Sequence, residues 1–335
     1  MSATPAPQTR RVIAAAVLVP VIAALALWAF AWPAARTAPR DLPLGVAGPT
    51  AATAQVQERL KGAAGSEGAF DIHRYADEAA AREAIEDRTV YGAVVVGDDG
   101  PRLLTASAAS PVVAQLLQQA VAAPTPADGA GVETVDVVPA PASDPRGAAL
   151  NASVLPLALA GIAAGGVVTV LGLRGTRAVA ALLGASALTG LAAAAIGHSW
   201  LEALTGDWWA EAAVLGLGTL AVGGAVAGLA ALIGTAGLGL GAGVVMLFGN
   251  PFAGAASAPE LLPEPAGFIG QLLPPGASAT LLRSVSYFDG AAATGPALTL
   301  TWWAALGLGA VLLGGALKNR TASAEGRVRA PALTG

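Results

Sequence analysis

AAVLGLGTLAVGGAVAGLAALIGTAGLGLGAGVVMLFGNPF, residues Ala212–Phe252, runs for 41 residues with almost no polar interruption. As a single helix it would be about 60 Å long, twice the roughly 30 Å of a bilayer's hydrocarbon core. It therefore reads as two crossings that turn back on each other near Gly234–Gly237. The whole chain carries the same signature: 335 residues, 55% hydrophobic, only 12% charged, with a mean hydropathy of +0.63. A soluble globular protein holds about 25% charged residues. The class is an integral, multi-pass protein of the cell membrane, with the lipid bilayer as its first partner.

Immediately after that run comes GNPFAGAASAPELLPEPAGFIGQLLPPGASATLLRSVSYFDG, Gly249–Gly290. Pro251, Pro259, Pro263, Pro265, Pro274 and Pro275 forbid an uninterrupted helix. Phe252, Phe268, Ile269, Leu272 and Leu273 are too apolar for an ordinary wet loop. Broken, greasy backbone at membrane depth needs protein or a cavity to satisfy its polar groups. The segment is read as a re-entrant element, with Asn250, Pro251, Pro274 and Pro275 as the candidate gate at its two breaks.

Four other segments are long and apolar enough to cross. Val12–Trp32 follows a short polar leader (residues 1–11) and is longer than a signal peptide's h-region, so it reads as a retained anchor. Val154–Leu173 and Ala178–Gly197 are separated by Arg174-Gly-Thr-Arg177. Pro296–Leu317 precedes a polar tail, residues 318–335. With the split run, the sum is six spans. An N-in, C-in arrangement puts Arg10, Arg11, Arg174, Arg177, Lys318, Arg320, Arg327 and Arg329 inside against one acid, Glu325. The outside then takes 21 of the 22 acids and the other ten basic residues, a positive-inside pattern.

Between the first two spans lies a polar region, residues 33–151. Leu42–Gly48, Phe70–Tyr75, Val90–Val96, Arg102–Ala106 and Val132–Val138 have strand character. Ala51–Ala64, Asp77–Arg88 and Val112–Ala123 have helical character. Gly97-Asp98-Asp99-Gly100 marks a turn that would make a hairpin of the third and fourth strands. Strands alternating with helices predict a small α/β layer domain, and the charge pattern puts it outside. The fold class is thus an α-helical polytopic membrane protein of six transmembrane helices, with an extracytoplasmic α/β domain between helices 1 and 2. Residues 152–317 form its five-helix membrane domain, which includes the re-entrant segment 249–290.

The chemistry the chain offers is sparse. It has no cysteine, which removes thiolate metal sites and thiol nucleophiles. A phosphate-binding P-loop needs Gly-Lys-Ser/Thr, and the two lysines, Lys61 and Lys318, each follow a leucine. The two histidines, His73 and His198, sit in different segments without ligand spacing. The acids of Asp77–Arg88 read as a solvated helix face. No charged residue falls within the six spans as bounded here, which disfavours ion-coupled transport. His198, Glu202, Asp207 and Glu211 cluster between spans three and four. They form a candidate outer vestibule, or a solvated turn in which Trp200, Trp208 and Trp209 supply an interfacial belt. Spacings such as Gly161/Gly165, Gly224/Gly228 and Gly237/Gly241 favour close helix packing. No catalytic residue, metal site, cofactor or nucleic-acid partner is expected.

One span, an extracytoplasmic α/β domain and then five spans resembles the membrane subunits of type-2 ABC exporters, and most closely the Pip-like (phage infection protein-like) branch. Ala81–Val96, AREAIEDRTVYGAVVV, is similar to that family's helix-then-strand stretch, and Asp144-Pro-Arg-Gly147 to its lead into the second span. Gly249-Asn-Pro251, Leu273-Pro-Pro-Gly276 and Tyr287-Phe-Asp-Gly290 resemble its segment between the last two spans. The resemblance implies a permease that moves an amphiphilic or lipid-like substrate outward, as a homodimer or heterodimer. A separate ATP-binding subunit would supply hydrolysis. The Arg174–Arg177 loop is too short for the coupling helix such permeases present, which leaves Arg174 and Arg177, the leader and the tail to contact that subunit. The alternative from another class is a non-transporting cell-surface scaffold or receptor-like protein acting through its external domain.

Overall fold

The computed structural model describes residues 8–63, 68–97, 100–122 and 132–329. The first seven residues of the leader, Asp98-Asp99 of the hairpin turn and the last six residues of the tail lie outside the described residues. Helix α1, Gln8–Ala35, leads into β1 (Leu42–Ala47), α2 (Thr50–Ala63), β2 (Phe70–Tyr75), α3 (Glu78–Glu86), β3 (Gly92–Gly97), β4 (Gly100–Thr105), α4 (Pro111–Ala122) and β5 (Glu133–Asp136). The sheet order is β2-β1-β3-β4-β5. β1 pairs parallel with both β2 and β3, β3–β4 is the antiparallel hairpin, and β5 pairs parallel with β4. Helices cover both faces. Ala81, Ala84 and Ile85 of α3 pack on one side with Ala47, Val95 and Leu104. Leu60 of α2, and Val113 and Leu117 of α4, pack on the other with Leu44, Val46 and Leu103.

The membrane part follows as α5 (Ala148–Val170), α6 (Gly175–Ala194), α7 (Trp208–Ile233), α8 (Thr235–Val244), α9 (Ala266–Leu272), α10 (Pro274–Tyr287) and α11 (Thr294–Arg329). α6 runs on through a π-helical turn, Ala195–Trp200, and α8 through another, Val245–Gly249. Five helices are long and apolar enough to cross a membrane: Gln8–Ala35, Ala148–Val170, Gly175–Trp200, Trp208–Ile233 and Thr294–Lys318. The expected break in the 41-residue run falls at Gly234, whose φ of 73° reverses the chain. The expected fifth span, however, is a shorter apolar helix, Thr235–Gly249, about 22 Å long at 1.5 Å per residue. Its π turn and Asn250-Pro251 stop it early.

α7 is the hub. α5, α6, α8, α10 and α11 all lean on it, and most of its residues are buried. The contacts are backbone against backbone. A Cβ on Gly190 would stand 2.3 Å from the Ala212 carbonyl oxygen, and one on Gly307 2.3 Å from the Gly224 carbonyl carbon. The repeated small residues serve packing within the chain. Gly161 meets Val222, Gly165 meets Gly223 and Val226, Gly228 meets Gly307, Gly237 meets Leu229 and Gly241 meets Val226. These pairs also fix directions. α8 runs back along α7, while α11 descends alongside it in parallel.

The segment after Gly249 first rises to the sheet domain, where Leu261 is buried among Leu42, Leu44 and Leu103. α9 then descends, and α10 returns. At the bottom of this dip Pro275 packs on Gly249 and lines a small cavity with Val222. Val222 lies 14 residues into α7, about 20 Å along its axis. At the top, the Tyr287 hydroxyl donates to the Ala203 carbonyl oxygen at 2.7 Å. The Trp303 indole N–H of α11 donates to the Leu272 carbonyl oxygen at 2.8 Å, satisfying one of the backbone groups that the broken helix frees.

The packing yields a direct prediction. Gly307→Val should lower stability in detergent by about 1–3 kcal/mol through overpacking, read as a fall in the thermal midpoint. Gly309→Ala, where a Cβ meets nothing within 4 Å, should be neutral. Equal effects at the two positions would mean that α7 and α11 are not in this close register.

Candidate functional site

Two polar clusters and one apolar cavity stand out. The first cluster lies at the domain-side end of the bundle. α7 begins four residues earlier than its apolar run, with Asp207 as N-cap accepting from the Ala210 N–H at 2.8 Å. This start places Glu211 in the first turn, fully buried at 0% exposure. A buried carboxylate needs partners, and Glu211 has two. His198 Nδ1 of the π turn lies 2.9 Å from its Oε2, and the Gly206 N–H donates to its Oε1 at 2.9 Å. The π turn that continues α6 is the element that supplies this histidine. Of the vestibule residues, His198 thus joins Glu211. Asp207 caps a helix, and Glu202, at a φ of 52°, offers its carbonyl to Ser143 Oγ at 2.5 Å.

The second cluster lines a cavity of about 230 Å³ between the sheet domain and α9–α10. Arg88, Thr89 and Tyr91 come from the segment leading into β3; Glu260, Gln271, Thr280 and Arg283 come from the Gly249–Gly290 stretch. The Tyr91 hydroxyl donates to Glu260 Oε2 at 2.8 Å. Arg88 Nη1 donates to the Thr280 carbonyl oxygen at 3.1 Å and to Ser284 Oγ, and its guanidinium lies 5.2 Å from the Phe288 ring centroid. Arg283, 6% exposed, donates through Nη2 to the Ala255 carbonyl oxygen at 2.9 Å. Gln271 bridges Ala253 and Thr280. Burial first, and then the neighbouring Arg283 charge, bring the Arg88 pKa down to about 10. Burial, then the charge and hydrogen bond of Glu260, push the Tyr91 phenol well above its ordinary range, so it stays a neutral donor.

The apolar cavity, about 300 Å³, is lined by Leu150, Pro156 and Leu157 of α5, Leu204, Leu215 of α7 and Leu282 of α10. Ile196 and Leu201 on its rim are exposed. Leu282 of α10 lines it, whereas the next residue, Arg283, lines the arginine cavity.

The two proline breaks of the candidate gate are brought together: Gly249, beside Asn250 and Pro251, abuts Pro275, beside Pro274. At the far end of the bundle Arg174 caps α6 and lines a cavity of about 110 Å³ with Lys318, while Arg177 is exposed. The connection is as short as expected but lies earlier: residues 171–174 separate α5 from α6, and Gly175–Arg177 of the expected loop form the first turn of α6. The arginine cluster was not anticipated as a site. Its one sequence signal is Arg283, the lone charged residue of Pro274–Tyr287. The chain matches no family model, no curated protein and no solved structure.

Glu211→Ala should cost about 1–3 kcal/mol, because it strands the Gly206 N–H and removes the His198 partner. Glu211→Gln keeps an acceptor and should cost less. Thermal unfolding of the detergent-solubilised protein measures both, and an unperturbed Glu211→Ala would mean that this carboxylate is hydrated.

Proposed function

We propose that the chain is the membrane-embedded, permease-like subunit of an exporter that moves an amphiphilic or lipid-like molecule outward. The observation that carries this reading is the apolar cavity between α5, the end of α6 and α10. A space of about 300 Å³ with almost no polar lining, rimmed by exposed Ile196 and Leu201, suits an acyl chain entering sideways from a bilayer. Ligand sites of this size are usually apolar with few polar groups. His198 and Glu211 pair with each other at the bundle's end, which leaves the remainder of the bundle suited to a greasy cargo rather than an ion.

In this reading the chain crosses six times, with both termini inside and the sheet domain outside. The fifth crossing is a composite: α8 and its π turn climb through the inner part, and the backbone after Asn250 completes the ascent. α9 and α10 form a re-entrant hairpin at the outer mouth. Asn250, Pro251, Pro274 and Pro275 form the constriction between the two. Any ATP hydrolysis is supplied by a separate subunit that contacts Arg174 and Arg177. The scaffold alternative is disfavoured by the way the sheet domain is tied to α9–α10, since a free-standing receptor domain needs no such tie.

Leu157→Trp and Leu204→Trp fill the cavity and should reduce efflux of a fluorescently labelled short-chain phospholipid from cells expressing the protein, with unchanged expression. Full efflux in both variants would sink the reading. Photo-crosslinking from Arg174 and Arg177 in native membranes should capture a nucleotide-binding subunit, and its absence would remove the ATP-driven version. Because the chain lacks cysteine, single cysteines report cleanly. Phe268 is 71% exposed and Leu272 50% exposed in the isolated protein. Cysteines there should nonetheless react slowly with a membrane-impermeant maleimide if lipid covers them, whereas rapid labelling would make this an ordinary wet loop.

A further inference from the structure

The cavity between the sheet domain and α9–α10 holds more positive charge than the protein around it neutralises. Its lining carries two guanidinium groups, Arg88 and Arg283, and one carboxylate, Glu260. That carboxylate is engaged by the Tyr91 hydroxyl, and neither arginine forms an ion pair among the described residues. Their hydrogen bonds go to neutral oxygens: the carbonyls of Thr280 and Ala255, and the Ser284 hydroxyl. A guanidinium has five donors, and each of these two commits a single nitrogen, Nη1 of Arg88 and Nη2 of Arg283. Buried charges are ordinarily paired, because an uncompensated one is costly. Two arginines facing one polar cavity with donors to spare lack an oxyanion.

We propose that this cavity binds a phosphate group, as a monoester or diester, between Arg88 and Arg283. Arginine forks match phosphate oxygens in geometry as well as charge. Arg88 stands at the end of α3 in the sheet domain, and Arg283 stands on α10. A bound phosphate would therefore bridge the domain to the re-entrant hairpin and hold them in one arrangement. Tyr91 and Glu260 would line the site beside them, with the carboxylate held by its bond to the phenol. The site lies where the hairpin leaves the bundle, so a lipid headgroup and a soluble phosphate are both possible sources. The proposal concerns a binding equilibrium and does not rest on the transport reading.

The test uses the full-length protein in dodecyl maltoside, which carries no phosphate. Its thermal midpoint is measured with inorganic phosphate, and separately with dihexanoyl-phosphatidylglycerol below its micellar concentration, against chloride at equal ionic strength. A ligand that binds only the folded state raises the midpoint as its concentration passes Kd. A rise with inorganic phosphate assigns the site to free phosphate as well as to headgroups, and a rise with the lipid alone assigns it to a headgroup. Arg88→Gln and Arg283→Gln should each weaken the binding at least tenfold, while Arg146→Gln, an exposed arginine outside the cavity, should leave it unchanged. Should either glutamine variant fail to fold, Arg88→Lys and Arg283→Lys keep the charge but lose the fork, and should still weaken binding several-fold. No rise in the wild-type protein with either ligand would overturn the proposal without recourse to any variant. So would a rise that survives both substitutions.

Discussion

Everything in the membrane part depends on how closely other backbones can approach α7. Between lipid-covered helices there is no hydrophobic drive to associate, because lipid tails are as apolar as leucine. What remains is dispersion, which decays within a fraction of an ångström of ideal contact. Gly190, Gly216, Gly223, Gly228 and Gly307 remove the side chains that would hold the backbones apart. The helices thereby reach a density that larger residues would deny them. α7 has 67% of its apolar window buried, and α1 is its opposite, with 6% buried. α1 touches the rest mainly where Trp32 packs near Phe252, Leu262 and Ala266.

The second layer of organisation is the grip of the Gly249–Gly290 stretch on the sheet. Leu261 enters the core on one face of the sheet, among Leu42 and Leu103, and Phe288 enters on the other, among Ile85 and Val95. The two ends of one segment thus bracket the domain, and the α9–α10 hairpin hangs between them. Backbone bonds reinforce this at Ala38 and Arg40, whose N–H groups donate to Leu261 and Glu260 carbonyl oxygens at 3.0 Å each. Rotation of the sheet domain would have to carry α10 with it. α10 in turn lies against α5, α7 and α11.

Much of this was legible in the residues. Strand alternation and turn chemistry placed all five strands and the three domain helices. The glycine pair around Gly234 located the reversal, because a 41-residue helix does not fit a bilayer. What stayed hidden depends on separation along the chain. Arg88 meets Ser284 across 196 positions and Tyr91 meets Glu260 across 169, and no local pattern announces such pairs. Glu211 was legible as part of a polar cluster, but its burial was not, for a different reason. Apolarity put the start of its helix at Ala212, but the Asp207 cap begins the helix at Trp208 and draws the carboxylate into the first turn. The short fifth helix was obscured because composition does not register a π turn.

Arg88 shows two demands meeting at one residue. α3 ends with the Thr89 N–H on the Ala84 carbonyl and the Arg88 N–H on the Ile85 carbonyl, at 2.8 and 3.0 Å, the paired bonds of a Schellman motif. The residue at that left-handed position is usually glycine, and Arg88 sits there at a φ of 59°. A side chain in this conformation costs about 1–2 kcal/mol. Glycine would be the better helix terminator, yet it would delete the guanidinium that reaches α10 and Phe288. The position therefore sets local backbone comfort against long-range attachment. Substitution there would separate two properties that travel together elsewhere: how well the sheet domain folds, and how firmly it is held to the bundle.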